Sequence, residues 1–404
     1  MADFAPSVRP DPTTVSGYRA PADLNSARVV VDMADRILMY QPTATPLLTI
    51  TGRIKGKRVT KNRKFEWLEK DSKPRLVTGT AVEPDIETSI AVSATDDDKL
   101  AARDIVRNLR TGEVMLVSAV GSSAFTAVRG IGAAGGGVAA SDTAVGDVFA
   151  IIGTSYPDNS LIGTFKTIQE YNKYNYTQIF RRPFGFSGRD LVTELYGGDD
   201  KTTETKWMAM EHKKDIEYAF IFGNRETIAG DATTKEATFT GGLEWSIQTN
   251  RWNVGGVSLN TRVFDEFLEE GLRWGKGGRQ QAGAAVKYLF HSSAWGTEIN
   301  HWVDQQLEYQ VLDEQIGFKA AKYVSPHGLV YLVPTPILDE FAPDRAYLLD
   351  LNHIDYAYLN KRDTKLLDNR EENDRDGEAY EYFSDCGVQV AFEHAHSVLL
   401  GLGS

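Results

Sequence analysis

The chain is 404 residues long, 42% hydrophobic and 25% charged, with a formal net charge of −12. Single hydrophobic cores stop growing near ~250–300 residues, so two or three compact units are expected. The acidic balance excludes a surface that wraps nucleic acid throughout, no apolar run reaches the ~18 residues of a membrane-spanning helix, and the lone Cys386 excludes an intrachain disulfide.

In chain order, residues 1 to about 25 are rich in Pro, Ser, Thr and Asp and read as a mobile arm. The opening MADFAPSVRPDPTT has neither a basic nor an apolar leader region, so no secretory signal is expected. With a single cysteine, this makes a reducing cytoplasm the default setting for assembly. A short helix is expected around Ala34 to Tyr40, stopped by Pro42 and Pro46. The next stretch, Arg53 to Asp71, concentrates Arg53, Lys55, Lys57, Arg58, Lys61, Arg63 and Lys64. It has too few apolar positions to bury a face and reads as one arm of a long exposed hairpin, with Phe65 and Trp67 as apolar anchors. The segment Glu83 to Asp98 is acidic instead.

From about Leu100 the texture becomes short and β-rich: EVMLVSAV (113–120), AFTAV (124–128) and GDVFAII (146–152), with glycine turns, predict a small all-β module. Gly130-Ile131-Gly132-Ala133-Ala134-Gly135 matches the spacing of a dinucleotide-binding turn. Between Gly137 and Gly146, however, only VAASDTAV separates it from the next strand. That is too short for the crossover helix whose N-terminus would hold pyrophosphate. A flexible hairpin loop is expected.

YNYTQIFRRPFGF (174–186) interleaves aromatics with Arg181 and Arg182, as a stacking platform for single strands would, or as a strand packed on a core. With the basic run 53–64 it supports an alternative class, a nucleic-acid-binding protein. Asn175-Tyr176-Thr177 is a glycosylation sequon that matters only in a secreted chain. Thr202 to Phe222 predicts a helix about 31 Å long, capped by Thr202 or Thr203 and ended by a left-handed Gly223. Phe264, Phe267, Leu268 and Leu272 share one further helical face, and Trp295, Ile299, Trp302 and Leu307 another. LVYLVP (329–334), RAYLLDL (345–351) and VQVAFEHAHSVLLGL (388–402) read as strands.

No catalytic, cofactor or metal residue is assigned. Glu372-Asn373-Asp374-Arg375-Asp376-Gly377 starts like a calcium loop but has Phe383 where a bidentate Glu is required. Glu298 and His301 form a single E-x-x-H where a di-iron bundle needs two. His394 and His396 share one strand face without a third ligand, and Cys386 among apolar neighbours reads as buried and inert.

The order of QPTATPLLT (41–49), FEWLEKD (65–71), TAVRGIG (126–132), NYTQIF (175–180), DIEYAFIFG (215–223), GGLEWSIQTN (241–250) and HAHSVLLGL (394–402) resembles the major capsid (head) proteins of tailed bacteriophages. Within that family the chain looks like the branch with a small β-module inserted in the extended loop. FSGR at 186–189 departs from the Ser-Gly-Thr pattern of that family. The resemblance implies an α+β tailed-phage capsid fold. It divides the chain into an N-terminal arm (1–50), an extended loop (51–99 and 154–173) and an inserted β-module (100–153). A peripheral domain (174–240 and 341–404) carries a spine helix at 202–222, and an axial domain spans 241–340. It implies a non-enzymatic subunit of an icosahedral virion shell, self-associated in pentamers and hexamers and assembled in the host cytoplasm. Such a shell encloses genomic DNA without sequence-specific binding and without a membrane, and leaves scaffolding, portal and decoration proteins open as further partners. The basic run with Phe65 and Trp67 then becomes the expected contact with a sister subunit.

Overall fold

The computed structural model describes residues 45–54, 56–70, 74–160, 167–193, 200–231, 235–257, 261–274, 286–303 and 321–402. The expected helix at 34–40, Lys55 and Leu307 lie outside them, as do the side chains of Arg53, His301 and Trp302. The chain divides into two compact units, one built from residues up to Phe65 together with those from Asn175 onward, the other from Glu66–Tyr174.

Helix α1 (Pro46–Ile54) and strand β1 (Lys57–Thr60) are followed by β2 (Lys64–Glu69), β3 (Leu76–Thr78), β4 (Ser89–Ala91), β5 (Asp104–Asn108), β6 (Val114–Gly121), β7 (Ala124–Val128), β8 (Val148–Thr154) and β9 (Tyr171–Tyr176). Next come β10 (Gln178–Ser187), α2 (Asp200–Phe222), β11 (Glu226–Ile228), β12 (Ala237–Phe239), α3 (Leu243–Ser246), β13 (Arg251–Val257), α4 (Thr261–Gly271), β14 (Val286–His291) and α5 (Ser293–Val303). The chain ends with β15 (Ala321–Ser325), β16 (Gly328–Pro334), α6 (Pro336–Phe341), β17 (Ala346–Leu349), β18 (Ile354–Leu359), β19 (Lys365–Leu367), β20 (Gly377–Val390) and β21 (Ser397–Leu402).

In the Glu66–Tyr174 unit, β2 and β9 form a two-stranded ribbon and β3-β8-β5-β6-β7-β4 a six-stranded sheet. The sheet closes on itself: Gly79 bridges Val92, Thr80 N–H donates to Ala91 O and Ser93 N–H to Thr78 O, each at 3.1 Å. Closure removes the open edges and encloses a core of Val77, Ile90, Val92, Leu100, Val106, Met115, Val117, Phe125 and Phe149. The barrel therefore begins at Leu76, ahead of the residue-100 boundary expected from texture. Val77, Ile90 and Val92 point inward, while the acidic residues that disguise this segment lie on its loops and turns.

In the larger unit, a five-stranded sheet β1-β18-β20-β10, with β19 on β20, packs against α2. A six-stranded sheet β13-β21-β17-β14-β16-β15 is apolar on both faces. Phe290, Tyr347, Leu349 and Val398 face one core with Ile216, Phe220 and Val388. Their neighbours Leu289, Leu348 and Leu399 face a second core with Phe264, Phe267, Leu268 and Trp295 of α4 and α5. Period-2 alternation explains why these strands read as continuous apolar runs. β17 and β21 lie in this sheet among β13–β16, so residues expected to separate at 341 are interleaved with those before it.

Gly223 does end α2, but by close approach rather than a left-handed turn. An added Cβ would lie 2.4 Å from Ala219 O and 2.6 Å from Thr240 O, and its φ is not positive.

Candidate assembly surface

The basic residues do not share one arm. Arg53 lies in α1, whereas Lys57 and Arg58 sit on β1, an edge strand paired parallel with β18. Lys57 Nζ reaches Asp363 Oδ2 at 2.5 Å and stands 4.8 Å from the Tyr356 ring centre. Arg58 donates to Gln389 Oε1. Arg63 pairs with Glu236 at 2.6 Å, and its carbonyl accepts the Thr177 N–H at 2.8 Å. Only β2 runs on into the ribbon. The reason is local: β1 supplies the edge hydrogen bonds of β18 and buries Thr60, a stronger pull than its charges against. Lys61 and Lys64 remain exposed. Phe65 is buried against Gly387, and Trp67 donates its indole N–H to Glu69 at 2.6 Å.

Residues 178–186 of the aromatic–arginine stretch lie on β10 and pair with β20, whereas 174–176 end β9, which pairs with β2. Arg181 forks onto Glu381, Arg182 reaches Glu211 at 3.1 Å, and Phe184 stacks on Tyr380 and Tyr382. Both arginines are engaged by carboxylates and Phe184 is half-buried in an aromatic stack, the arrangement of a strand packed on its own sheet. Asn175 of the sequon is buried; its amide donates to Gly241 O (2.9 Å) and Val388 O (2.6 Å), so it anchors β9 to two neighbouring segments.

The glycine loop joins β7 to β8 and contains a three-residue turn, Ala133–Gly135, instead of a crossover helix. Beneath it lies a buried ion pair: Arg129 Nε and Nη2 reach Glu113 Oε1 and Oε2 at 3.0 and 2.8 Å, with side chains 5% and 0% exposed. Glu113 also accepts the Gly130 and Ser141 N–H groups at 3.1 and 3.2 Å. The loop's inward amides thus bond a carboxylate, which would repel a phosphate. Nearby, the Arg110 guanidinium holds the Asp147 carboxyl at about 2, and Asn108 adds a hydrogen bond at 2.8 Å.

Buried ionisable groups in the larger unit are structural. His212 Nε2 lies 2.7 Å from Ser384 Oγ, a serine–histidine contact, yet both are essentially inaccessible and His212 Nδ1 has no partner among the described residues. Burial, with the Arg182 charge, pushes His212 down to about 4. Glu217 of α2 accepts the Leu47 and Leu48 N–H groups, each at 3.2 Å, and so caps the first turn of α1. Burial pushes its carboxyl up to about 8 against the pull of those two donors. Lys287 Nζ donates to Gly271 O (2.5 Å) and Ala395 O (2.6 Å), and burial lowers it to about 8. Burial pushes the Cys386 thiol up to about 12, consistent with an inert sulfur. His394 and His396 are not on one strand: a 3-10 turn (Glu393–Ala395) precedes β21, leaving His394 exposed and His396 buried. Among the described residues, no group of three His, Cys, Asp or Glu could hold a metal ion.

Sequence reasoning passed over Arg129–Glu113 and Glu217, and read Asn175 only as part of a sequon. A charge inside the apolar run IEYAFIF (216–222) was the available signal for Glu217. Glu113 and Arg129 bracket two strands and offer no spacing to read.

A family model described as SU10 major capsid protein matches residues 13–403. No curated protein matches the chain. Among solved structures, the capsid of a native GTA particle is 10% identical, with 96% of this chain and 99% of that chain covered at a TM-score of 0.48. The capsid of Myoviridae phage XM1 is 10% identical, with 92% and 97% covered at 0.47. The SrpI encapsulin complex of Synechococcus elongatus is 10% identical, with 58% and 78% covered at 0.39.

Proposed function

Because the chain belongs to the SU10 major capsid protein family, it is a structural subunit of a tailed-phage head shell, and we propose how its parts divide that work. Self-association into the shell and a place in the virion follow from membership. The Glu66–Tyr174 unit and its ribbon act as the extended loop and lie on a neighbouring copy. The remainder supplies a peripheral domain with α2 as its spine and an axial domain built around α4, α5 and the six-stranded sheet. Copies gather in pentamers and hexamers and assemble in the host cytoplasm. The serine–histidine contact and the thiol are both buried and serve the packing of the subunit.

The contact surface consists of Lys61, Lys64, Trp67 and the solvent-facing parts of Lys57 and Arg63, with Phe65 as the buried root. One observation carries this reading: a two-stranded ribbon cannot cover both of its own faces, and Leu68 on it is 69% exposed. Exposed ion pairs contribute only ~0–1 kcal/mol each, so a shell depends on repeating them around apolar anchors.

The test is to delete Glu66–Tyr174 and join Phe65 to Asn175 through two glycines. Thr177 N–H bonds Arg63 O, so the cut ends lie across a ladder from one another. The shortened chain is expected to fold, by circular dichroism and cooperative unfolding, and to give no normal particles by negative-stain microscopy. Normal particles would remove the lattice role of this unit.

A further inference from the structure

The loops 79–88, 109–113 and 129–147 join β3 to β4, β5 to β6 and β7 to β8 at one end of the barrel. The chain enters the barrel at the start of β3 and leaves from the end of β8, both at the opposite end, so these loops are its far tip. They are tied together. Thr143 N–H donates to Glu83 O (2.9 Å), Asp85 N–H to Asp142 Oδ1 (2.9 Å), Arg110 to Asp142 O (2.7 Å) and Arg129 to Pro84 O (2.7 Å). On this braced surface Val82, Ile86, Leu109, Ile131, Val138 and Val145 are exposed, Ile86 to 86% and Val145 to 68%. Asp85, Glu87 and Asp142 rim it, while the only arginines of these loops, Arg110 and Arg129, are already held by Asp147 and Glu113. Clustered exposed apolar side chains on a braced surface mark a contact site, and the acidic rim repels DNA.

We propose that this tip docks on a second copy of the chain, at the corner formed by Lys61 and Lys361 beside Val59. Asn360 N–H donates to Thr60 O at 2.9 Å, which sets Lys61 and Lys361 next to one another; both are exposed, and Val59 is 50% exposed. The two surfaces match in kind, apolar centre to apolar centre and acidic rim to basic rim. The contact rests on the shell reading, in which copies stand side by side with the same patches reused.

The full-length chain carries the test. Asp85→Lys with Glu87→Lys lowers the yield of sedimenting particles about tenfold, Lys61→Glu with Lys361→Glu does the same, and combining all of them restores the yield. Independently, Ile86→Cys is labelled with benzophenone maleimide, since Cys386 is buried. In particles assembled from isotopically light and heavy chains, the label crosslinks light to heavy copies within 57–61 or 360–362. Unchanged yield in both charge-reversed chains overturns the contact, as does a combined chain no better than its parents. Crosslinks confined to one copy, joining tip to tip, or reaching a different protein or DNA overturn it too. If the unaltered chain forms no particles with or without co-expressed phage proteins, the shell reading falls and the contact with it. Normal unaltered particles with any failed pattern above remove the contact alone.

Discussion

In the barrel, buried or half-buried carboxylates meet cations: Glu113 has Arg129, Asp147 has Arg110, and Asp96 has Lys99. In the larger unit, Glu217, Lys287 and His212 sit against backbone groups or a hydroxyl, with no opposite charge in hydrogen-bonding contact among the described residues, and burial moves each toward its neutral form. The difference separates two ways of fixing a segment. Opposite-charge pairs hold long loops in one shape across a wide pH range, at the cost of a heavy penalty if one member is lost. Solitary groups pin a helix end or a sheet cheaply, and tie stability to proton uptake.

The largest break in that contrast comes from Arg129→Ala. It strands the Glu113 carboxylate with its side chain 0% exposed and is expected to cost about 3–5 kcal/mol. Denaturant unfolding of the full chain measures it, with hydrogen exchange showing the loss confined to 66–174. Next is the pH response of His212. The unfolded histidine takes a proton below its ordinary value of 6.5, while the folded one resists to about 4. Stability of the larger unit therefore falls as pH drops through that window, by about 3 kcal/mol in all. His212→Gln should flatten this slope, and an unchanged slope in urea titrations at several pH values would count against it. The smallest effect is at the glycine loop. Gly132 has φ +83° with open space around it, so Gly132→Ala costs only its backbone strain, about 1 kcal/mol of unfolding free energy by denaturant titration, with no response to added nucleotide.

Long periodic or alternating segments were legible in the sequence. The α2 helix, expected at 202–222, spans Asp200–Phe222, and Phe264, Phe267 and Leu268 share a buried face as read. The glycine loop was rejected as a nucleotide site by segment length alone, and the structure has no crossover helix there. What stayed hidden depended on distant partners. Residues 57–60 read as part of a solvent-facing ribbon because the strand that claims them, β18, begins at Ile354. The barrel's first strands were obscured by acidic loops whose apolar strand residues number only a few. Glu217 could be recognised as a cap only once α1 and α2 were seen together, 170 positions apart in sequence.

The ends of the barrel have one more implication. β3 and β8, by which the chain arrives and departs, are hydrogen-bonded neighbours, with Leu76 opposite Ala150. A module whose two stems stand side by side is a cassette: it can be exchanged for another of different size without moving the stems apart.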